Sequence, residues 1–292
     1  MLAPLISVIA PILVCVALGY VWGRKDWPFE NSQITALVMY IGTPCLLIRT
    51  FDQTRPDPEA FGEIALATVL VTLLVAFGAA VILKLARLDL RDYLPALIFP
   101  NTGNLGLPFI LFAFGEAGLA LAIVYFTVNV IGHFTLGLTV ARGSLAWREL
   151  LRLPVIYAVA VGLALIVWDL QLPVWVSNTV DLLGGMTIPL MLLTLGVSLS
   201  RLPLQGVKRG LSLSVLRMGG GLAAGLLVSH LLGLPELERN VLVLQSSMPV
   251  AVYSYLFAER FGRSAADVAG MVVFSTVMSF VFLPALLWAL TN

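Results

Sequence analysis

Of 292 residues, 60% are hydrophobic and 11% charged, with a mean hydropathy of +1.00, far from the roughly 25% charged content of soluble domains. Such a chain belongs in a bilayer, where at about 20 residues per span it holds roughly ten crossings and no soluble domain. The formal net charge of +1 argues against a nucleic-acid partner, whose binding needs a clustered basic face. Cys15 and Cys45, each inside an apolar run without metal-ligand spacing, point to neither a disulfide framework nor a metal site.

Apolar runs lie near residues 3–23, 32–50, 62–86, 93–115, 117–141, 151–169, 175–200, 210–232, 237–258 and 265–290, each long enough to cross as a helix. The first, from Leu2 to Trp22, has no charge before it and Arg24 and Lys25 after it, so it reads as a retained span rather than a signal peptide. Numbered from the N-terminus, the odd loops carry Arg24, Lys25, Lys84, Arg87, Arg91, Arg142, Arg148, Arg152, Arg201, Lys208, Arg209, Arg260 and Arg263. The even loops have only Arg49, Arg55 and Arg239. Odd loops are therefore expected in the cytoplasm and both termini on the outer side of the cell inner (plasma) membrane.

In the second run, Gly42-Thr43-Pro44-Cys45-Leu46-Leu47 resembles Thr187-Ile188-Pro189-Leu190-Met191-Leu192 of the seventh, the prolines standing 145 positions apart. Phe114-Gly115 and Phe261-Gly262 repeat at an offset of 147. The chain thus reads as two five-helix halves, 1–146 and 147–292, and an odd number of spans per half inverts the second copy. The expected fold is an all-α membrane protein of ten helices in two inverted repeats, with broken crossover helices four and nine.

The fourth run is interrupted by Pro100-Asn101-Thr102-Gly103-Asn104-Leu105-Gly106-Leu107-Pro108, and the ninth by Gln245-Ser246-Ser247-Met248-Pro249. Proline lacks a backbone donor, so Pro108 leaves the Asn104 carbonyl free and Pro249 that of Gln245. Irregular backbone at membrane depth persists only in protein or beside a water-filled cavity, and paired broken helices mark transporter sites at the midplane. Each half-helix after a break would offer amide donors and about half a positive charge to an anion. Asn101, Thr102, Asn104, Ser246 and Ser247 would add neutral hydrogen bonds, with Pro100, Gly103, Pro108, Gln245 and Pro249 shaping the break.

Pro44 and Pro189 would kink spans two and seven beside the crossing, and Asn129 and His133, spaced i and i+4 in span five, share a helix face. With Tyr253 these are candidate cavity-lining residues. His133 reads either as a proton-sensitive element or as a packed interhelical histidine. Arg217, inside span eight, is expected to snorkel to the interface, contact with an anionic substrate being the minority reading. Glu116, Asp169, Asp181, Glu236 and Glu238 read as solvated loop charges. No carboxylate falls near the midplane, which gives no support to obligate ion coupling.

In this order of features, Pro100 to Pro108 above all, then Ser247-Met248-Pro249-Val250-Ala251, Gly42-Thr43-Pro44 and the two Phe-Gly pairs, the chain resembles the auxin efflux carrier family in its compact prokaryotic form over essentially its whole length. The resemblance implies a scaffold group and a mobile transport group, with helices four and nine crossing at the substrate site, a plan similar to bile-acid symporters and sodium/proton antiporters. It also implies organic-acid cargo: auxin in plant members, malate, malonate and related acids in bacterial ones. The long central loop of many plant members is missing, and Val250 stands where several of them continue an Asn-Pro pair.

The expected function is therefore secondary carriage, by efflux or exchange, of a small organic anion such as a dicarboxylate or auxin-like carboxylate, by alternating access. A sodium- or proton-coupled symporter of bile-acid-symporter-like fold and a passive channel are the alternatives. No enzyme signature is present: there is no His-Glu-x-x-His, paired aspartate or Cys-His grouping in the spans. No cofactor or metal is expected, and the partners are the anion, the lipid bilayer and, as a candidate assembly, a second copy in a homodimer.

Overall fold

The computed structural model describes residues 2–55, 57–137, 139–140, 151–203 and 207–291. Among them every regular element is helical. The order is α1 (Leu2–Arg24), α2 (Asn31–Leu37), α3 (Thr43–Thr54), α4 (Pro58–Leu85), α5 (Leu90–Ile98), α6 (Leu107–Gly132), α7 (Pro154–Val167), α8 (Val174–Gly185), α9 (Thr187–Arg201), α10 (Val207–Leu232), α11 (Glu236–Ser246), α12 (Val252–Arg260) and α13 (Ala265–Thr291). Short π-helical turns occupy Val38–Gly42, Thr102–Gly106 and His133–Gly137. Arg142, Arg148 and the expected junction of the halves at 146 and 147 lie outside the described residues.

Seven helical stretches among the described residues are long and apolar enough to cross a membrane, from Ile6–Arg24 to Ala265–Thr291. The chain is a multi-pass membrane protein. The stretch Thr102–Gly137 contains Gly115 at φ 66° and ψ −161°, a conformation open to glycine that divides it in two. α7 is shorter, at 14 residues, the ninth apolar run is cut into pieces of 11 and 9 residues, and the fourth into the 9-residue α5 and the stretch from Thr102 to the Gly115 break. The glycine of the other Phe-Gly pair, Gly262, also sits at positive φ, 62°.

Local chemistry explains most of the breaks. Pro44 and Pro108 each stand second in a helix that follows a π-helical turn, and Pro189 stands in the first turn of α9. The amides just before Pro44 and Pro108 are used, Thr43 N donating to the Val38 carbonyl and Leu107 N to the Thr102 carbonyl five residues back, and this wider π register accommodates the donor that each proline lacks. Helices α4 and α5 start on Asp57 and Asp89, whose carboxylates accept from Glu59 N at 3.0 Å and Arg91 N at 2.7 Å.

Two sets of helices pack most extensively within themselves: α1 on α9 with α3 on α7 and α8, and α10 on α13, α11 and α4 with α4 on α5 and α6. Without a hydrophobic drive between helices in lipid, close approach depends on small residues. Accordingly a Cβ on Gly19 or Gly196 would overlap backbone carbonyls across the α1–α9 contact.

Polar contacts join even loops to even loops and odd to odd. Arg49 pairs with Asp181 at 3.0 Å and Glu116 at 3.5 Å, and Arg55 pairs with Asp169. On the odd set, Tyr93 donates to Asp267 at 2.6 Å, Arg209 pairs with Asp267 at 2.9 Å, Ser264 donates to Asp92 at 2.7 Å, and Arg201 donates to the Phe29 carbonyl at 3.2 Å. Glu116, Asp169 and Asp181 are thus ion-paired rather than merely solvated: each finds a cation on a neighbouring helix end.

Candidate functional site

The two interrupted runs meet. α5 ends at Ile98 and α11 at Ser246, and the extended segments that follow pair as an antiparallel bridge between Pro100 and Val250. The Asn101 amide donates to the Pro249 carbonyl at 2.7 Å and the Ala251 amide to the Phe99 carbonyl at 3.3 Å. The Val250 amide is taken by Ser275 Oγ of α13 at 3.0 Å. Backbone groups released by the breaks thereby satisfy one another, as apolar surroundings require. The chain resumes helix in the π turn at Thr102, closed by Gly106 N to the Asn101 carbonyl at 3.1 Å, and on the other side at Val252.

One face of this crossing opens on a partly open cavity between the two helix sets. From one set come Thr35, Val38, Met39, Thr43, Leu153, Pro154, Val155, Met191 and Thr194. From the other come Pro100, Asn101, Thr102, Gly103, Asn104, Phe126, Asn129, Val130, His133, Phe134, Ala251, Val252 and Tyr253. No charged side chain is among them. Four buried polar atoms on this wall have no hydrogen-bond partner among the described residues: Asn101 Nδ2, Asn129 Nδ2, His133 Nε2 and Thr194 Oγ1. Buried polar groups left unpaired are costly, so these atoms beside the cavity would be satisfied by a ligand or water that reached them.

An aromatic cluster borders this wall. His133 stacks on Phe99 with centroids 4.6 Å apart and meets Phe257 edge-on at 5.1 Å, and Phe134 packs against Phe257 at 5.7 Å and Tyr253 at 6.2 Å. His133, 4% exposed, is therefore both a packed interhelical ring and a cavity residue.

Of the sequence candidates, Pro100, Asn101, Thr102, Gly103, Asn104, Asn129, His133 and Tyr253 line the cavity, whereas Pro44, Pro108, Pro189, Gln245, Ser246, Ser247 and Pro249 do not. Pro108 follows the resumption of helix at Thr102 and is buried in the first turn of α6. The Gln245 carbonyl is not free, because Met248 N donates to it at 3.3 Å. Ser246 and Ser247 turn their hydroxyls to the Val243 carbonyl at 3.0 and 2.6 Å. The irregular segment in this half begins only after Ser246, and the cavity residues of the ninth run are Ala251 and, at the start of α12, Val252 and Tyr253.

Arg217 does not snorkel. It is 2% exposed, and its guanidinium donates to the Leu97 carbonyl at 3.0 Å and to the Ser246 carbonyl at 2.7 Å, the last turns of α5 and α11. Those carbonyls, freed where the helices stop, offered it more than the interface did. The wall residues Thr35, Met39, Met191 and Thr194 escaped the sequence reading because threonine and methionine in an apolar helix carry no signal of where they point.

The model of a family described as membrane transport protein matches residues 4–146 and 138–287. The chain is 26% identical to an uncharacterized transporter of Methanocaldococcus jannaschii, covering 98% of this chain and 99% of that one. It is 27% identical to an uncharacterized transporter of Methanothermobacter thermautotrophicus over 95% of each. Auxin efflux carrier component 1 of Arabidopsis thaliana is 22% identical over 44% of this chain and 23% of its own length. These relatives are transporters, not enzymes.

Proposed function

The chain belongs to the membrane transport protein family, the auxin efflux carrier-like transporters, and from that premise we propose that it is a secondary carrier of a small organic anion working by alternating access. The observation that carries the reading is the antiparallel pairing of two interrupted helices beside a cavity whose unpartnered amide nitrogens, Asn101 Nδ2 and Asn129 Nδ2, are hydrogen-bond donors. The N-terminal ends of α6, through its π turn, and of α12 start at the same wall, which adds partial positive charge. With donors and no fixed cation, the wall suits a singly charged carboxylate with an apolar body as well as a dicarboxylate. Among the described residues no Asp or Glu lines it, which disfavours coupling through a cavity carboxylate.

In this reading the fourth run is α5 plus the start of α6, Gly115 turns the chain into the fifth, and the ninth is α11 with α12, making ten crossings in two inverted halves. Gly42 and Thr187, 145 positions apart, touch: a Cβ on Gly42 would stand 2.6 Å from Thr187 Oγ1. Contact between equivalent residues is expected on a two-fold axis. The basic odd loops support an orientation with both termini outside. The set holding α1, α3, α7, α8 and α9 serves as scaffold, and the other set moves.

Reconstituted protein should take up labelled malate, malonate or indole-3-acetate with saturation and counterflow. Repeating the assay at several sodium and pH values distinguishes a coupled symporter. Single-channel currents, or full flux and binding in Asn101→Ala, would refute the carrier site.

A further inference from the structure

Among the described residues Arg217 is the one charge buried at the crossing, and it does not line the cavity. It stands on α10 in a face that continues through Gly221 and Gly225, four and eight residues on, where a Cβ would overlap the Ser246 carbonyl and hydroxyl oxygens. That face lets the helix lie directly on the end of α11. The guanidinium bridges Leu97 O and Ser246 O, no carboxylate among the described residues pairs with it, and its Nε has no partner.

A helix C-terminus carries roughly half a negative charge, so the ends of α5 and α11 together present about one, matched by one guanidinium. A buried charge in a membrane persists only when so compensated. Left alone, those two ends would set negative potential directly behind the wall that must accept an anion.

We propose that Arg217 is the fixed counter-charge of the crossing, a positioning residue that neutralises both helix C-termini and leaves the positive helix ends to dominate the cavity. The inference rests on the anion-carrier reading for its transport consequence, but its electrostatic core does not. Charge, rather than shape, is what the site requires of residue 217.

The test compares Arg217→Lys, Arg217→Met and Arg217→Ala in the full-length protein. In detergent without substrate, Arg217→Lys should unfold within a few degrees of wild type, and the Met and Ala variants should unfold well below it. Methylguanidinium chloride at millimolar concentration should raise the melting temperature of Arg217→Ala while equal potassium chloride does not, and wild type should ignore both. In proteoliposomes Arg217→Met should raise the KM of a transported anion about tenfold (about 1.4 kcal/mol), with a smaller change in Vmax, and Arg217→Lys should restore it.

The proposal is overturned if the Met variant equals wild type, if Lys falls as far as Met, including both failing to fold, or if Arg217→Ala gains nothing from methylguanidinium. An Ala variant that folds only when purified with methylguanidinium supports it, and one that folds under neither condition counts against it. If wild type moves no organic anion, the carrier reading fails while the stability measurements still decide the role of Arg217.

Discussion

At Gly221 the α10 backbone passes so close to the Ser246 carbonyl that a β-carbon has nowhere to go except into backbone. Overpacking against rigid atoms costs about 1–3 kcal/mol or more, so Gly221→Ala should lower the melting temperature of purified protein markedly. Two residues earlier Gly219 has open space where its Cβ would stand, and Gly219→Ala should be neutral or stabilising by up to about 1 kcal/mol through helix propensity. Equal losses in the two variants would show that glycine content, not this approach, matters. Asn129 gives the opposite trade. Its buried Nδ2 has no partner among the described residues, so Asn129→Leu should hold or raise stability while raising substrate KM about tenfold, within the roughly 1–3 kcal/mol cost of an unmade buried hydrogen bond. A variant with unchanged KM would remove Asn129 from the site. Asn101 and Asn129 were legible as polar residues in apolar runs. Arg217 was legible as an anomaly and not as a clamp, because its partners are carbonyls 120 and 29 positions away.

At the scale of elements, the crossing is held by few bonds, and Ser275 supplies one of them. Ser275→Ala leaves the Val250 amide without its partner, at a cost of about 1–3 kcal/mol. Because that amide belongs to the bridge itself, the loss should appear both as a lower melting temperature and as faster amide exchange at Val250 and Ala251. Normal protection there would mean that the pairing does not depend on α13. The breaks themselves could be read from sequence because proline and glycine act through local backbone chemistry. Their ends could not: the fourth run resumes helix at Thr102, six residues before Pro108, because a π turn accommodates the missing donor, and the ninth stays helical through Ser246. The repeated Phe-Gly pairs were visible as text, and their shared positive φ gives them a physical role as turns.

For the whole molecule, alternating access requires contacts between the two helix sets that can be made and broken. Arg49 of α3 stays with Asp181 of its own set at 3.0 Å and reaches Glu116 of the other at 3.5 Å. That second contact is a polar tie across the sets on the even-loop face, opposite the basic loops. Its side chains are 25% and 36% exposed, so its strength should fall in the range of partly screened pairs, about 1 kcal/mol or less. A tie of that size can bias two states by at most about fivefold and can be broken in each cycle. Glu116→Gln should therefore leave the melting temperature nearly unchanged while shifting the protein toward the state open on the even-loop face. In a background with Cys15 and Cys45 replaced, Thr194→Cys reports the cavity wall. Its labelling by an impermeant maleimide from the even-loop side should rise by up to about fivefold when Glu116→Gln is added, with a matching fall from the other side. Unchanged labelling from both sides would mean that the Arg49–Glu116 contact does not report on the transition, and a large loss of stability would make it part of the permanent core.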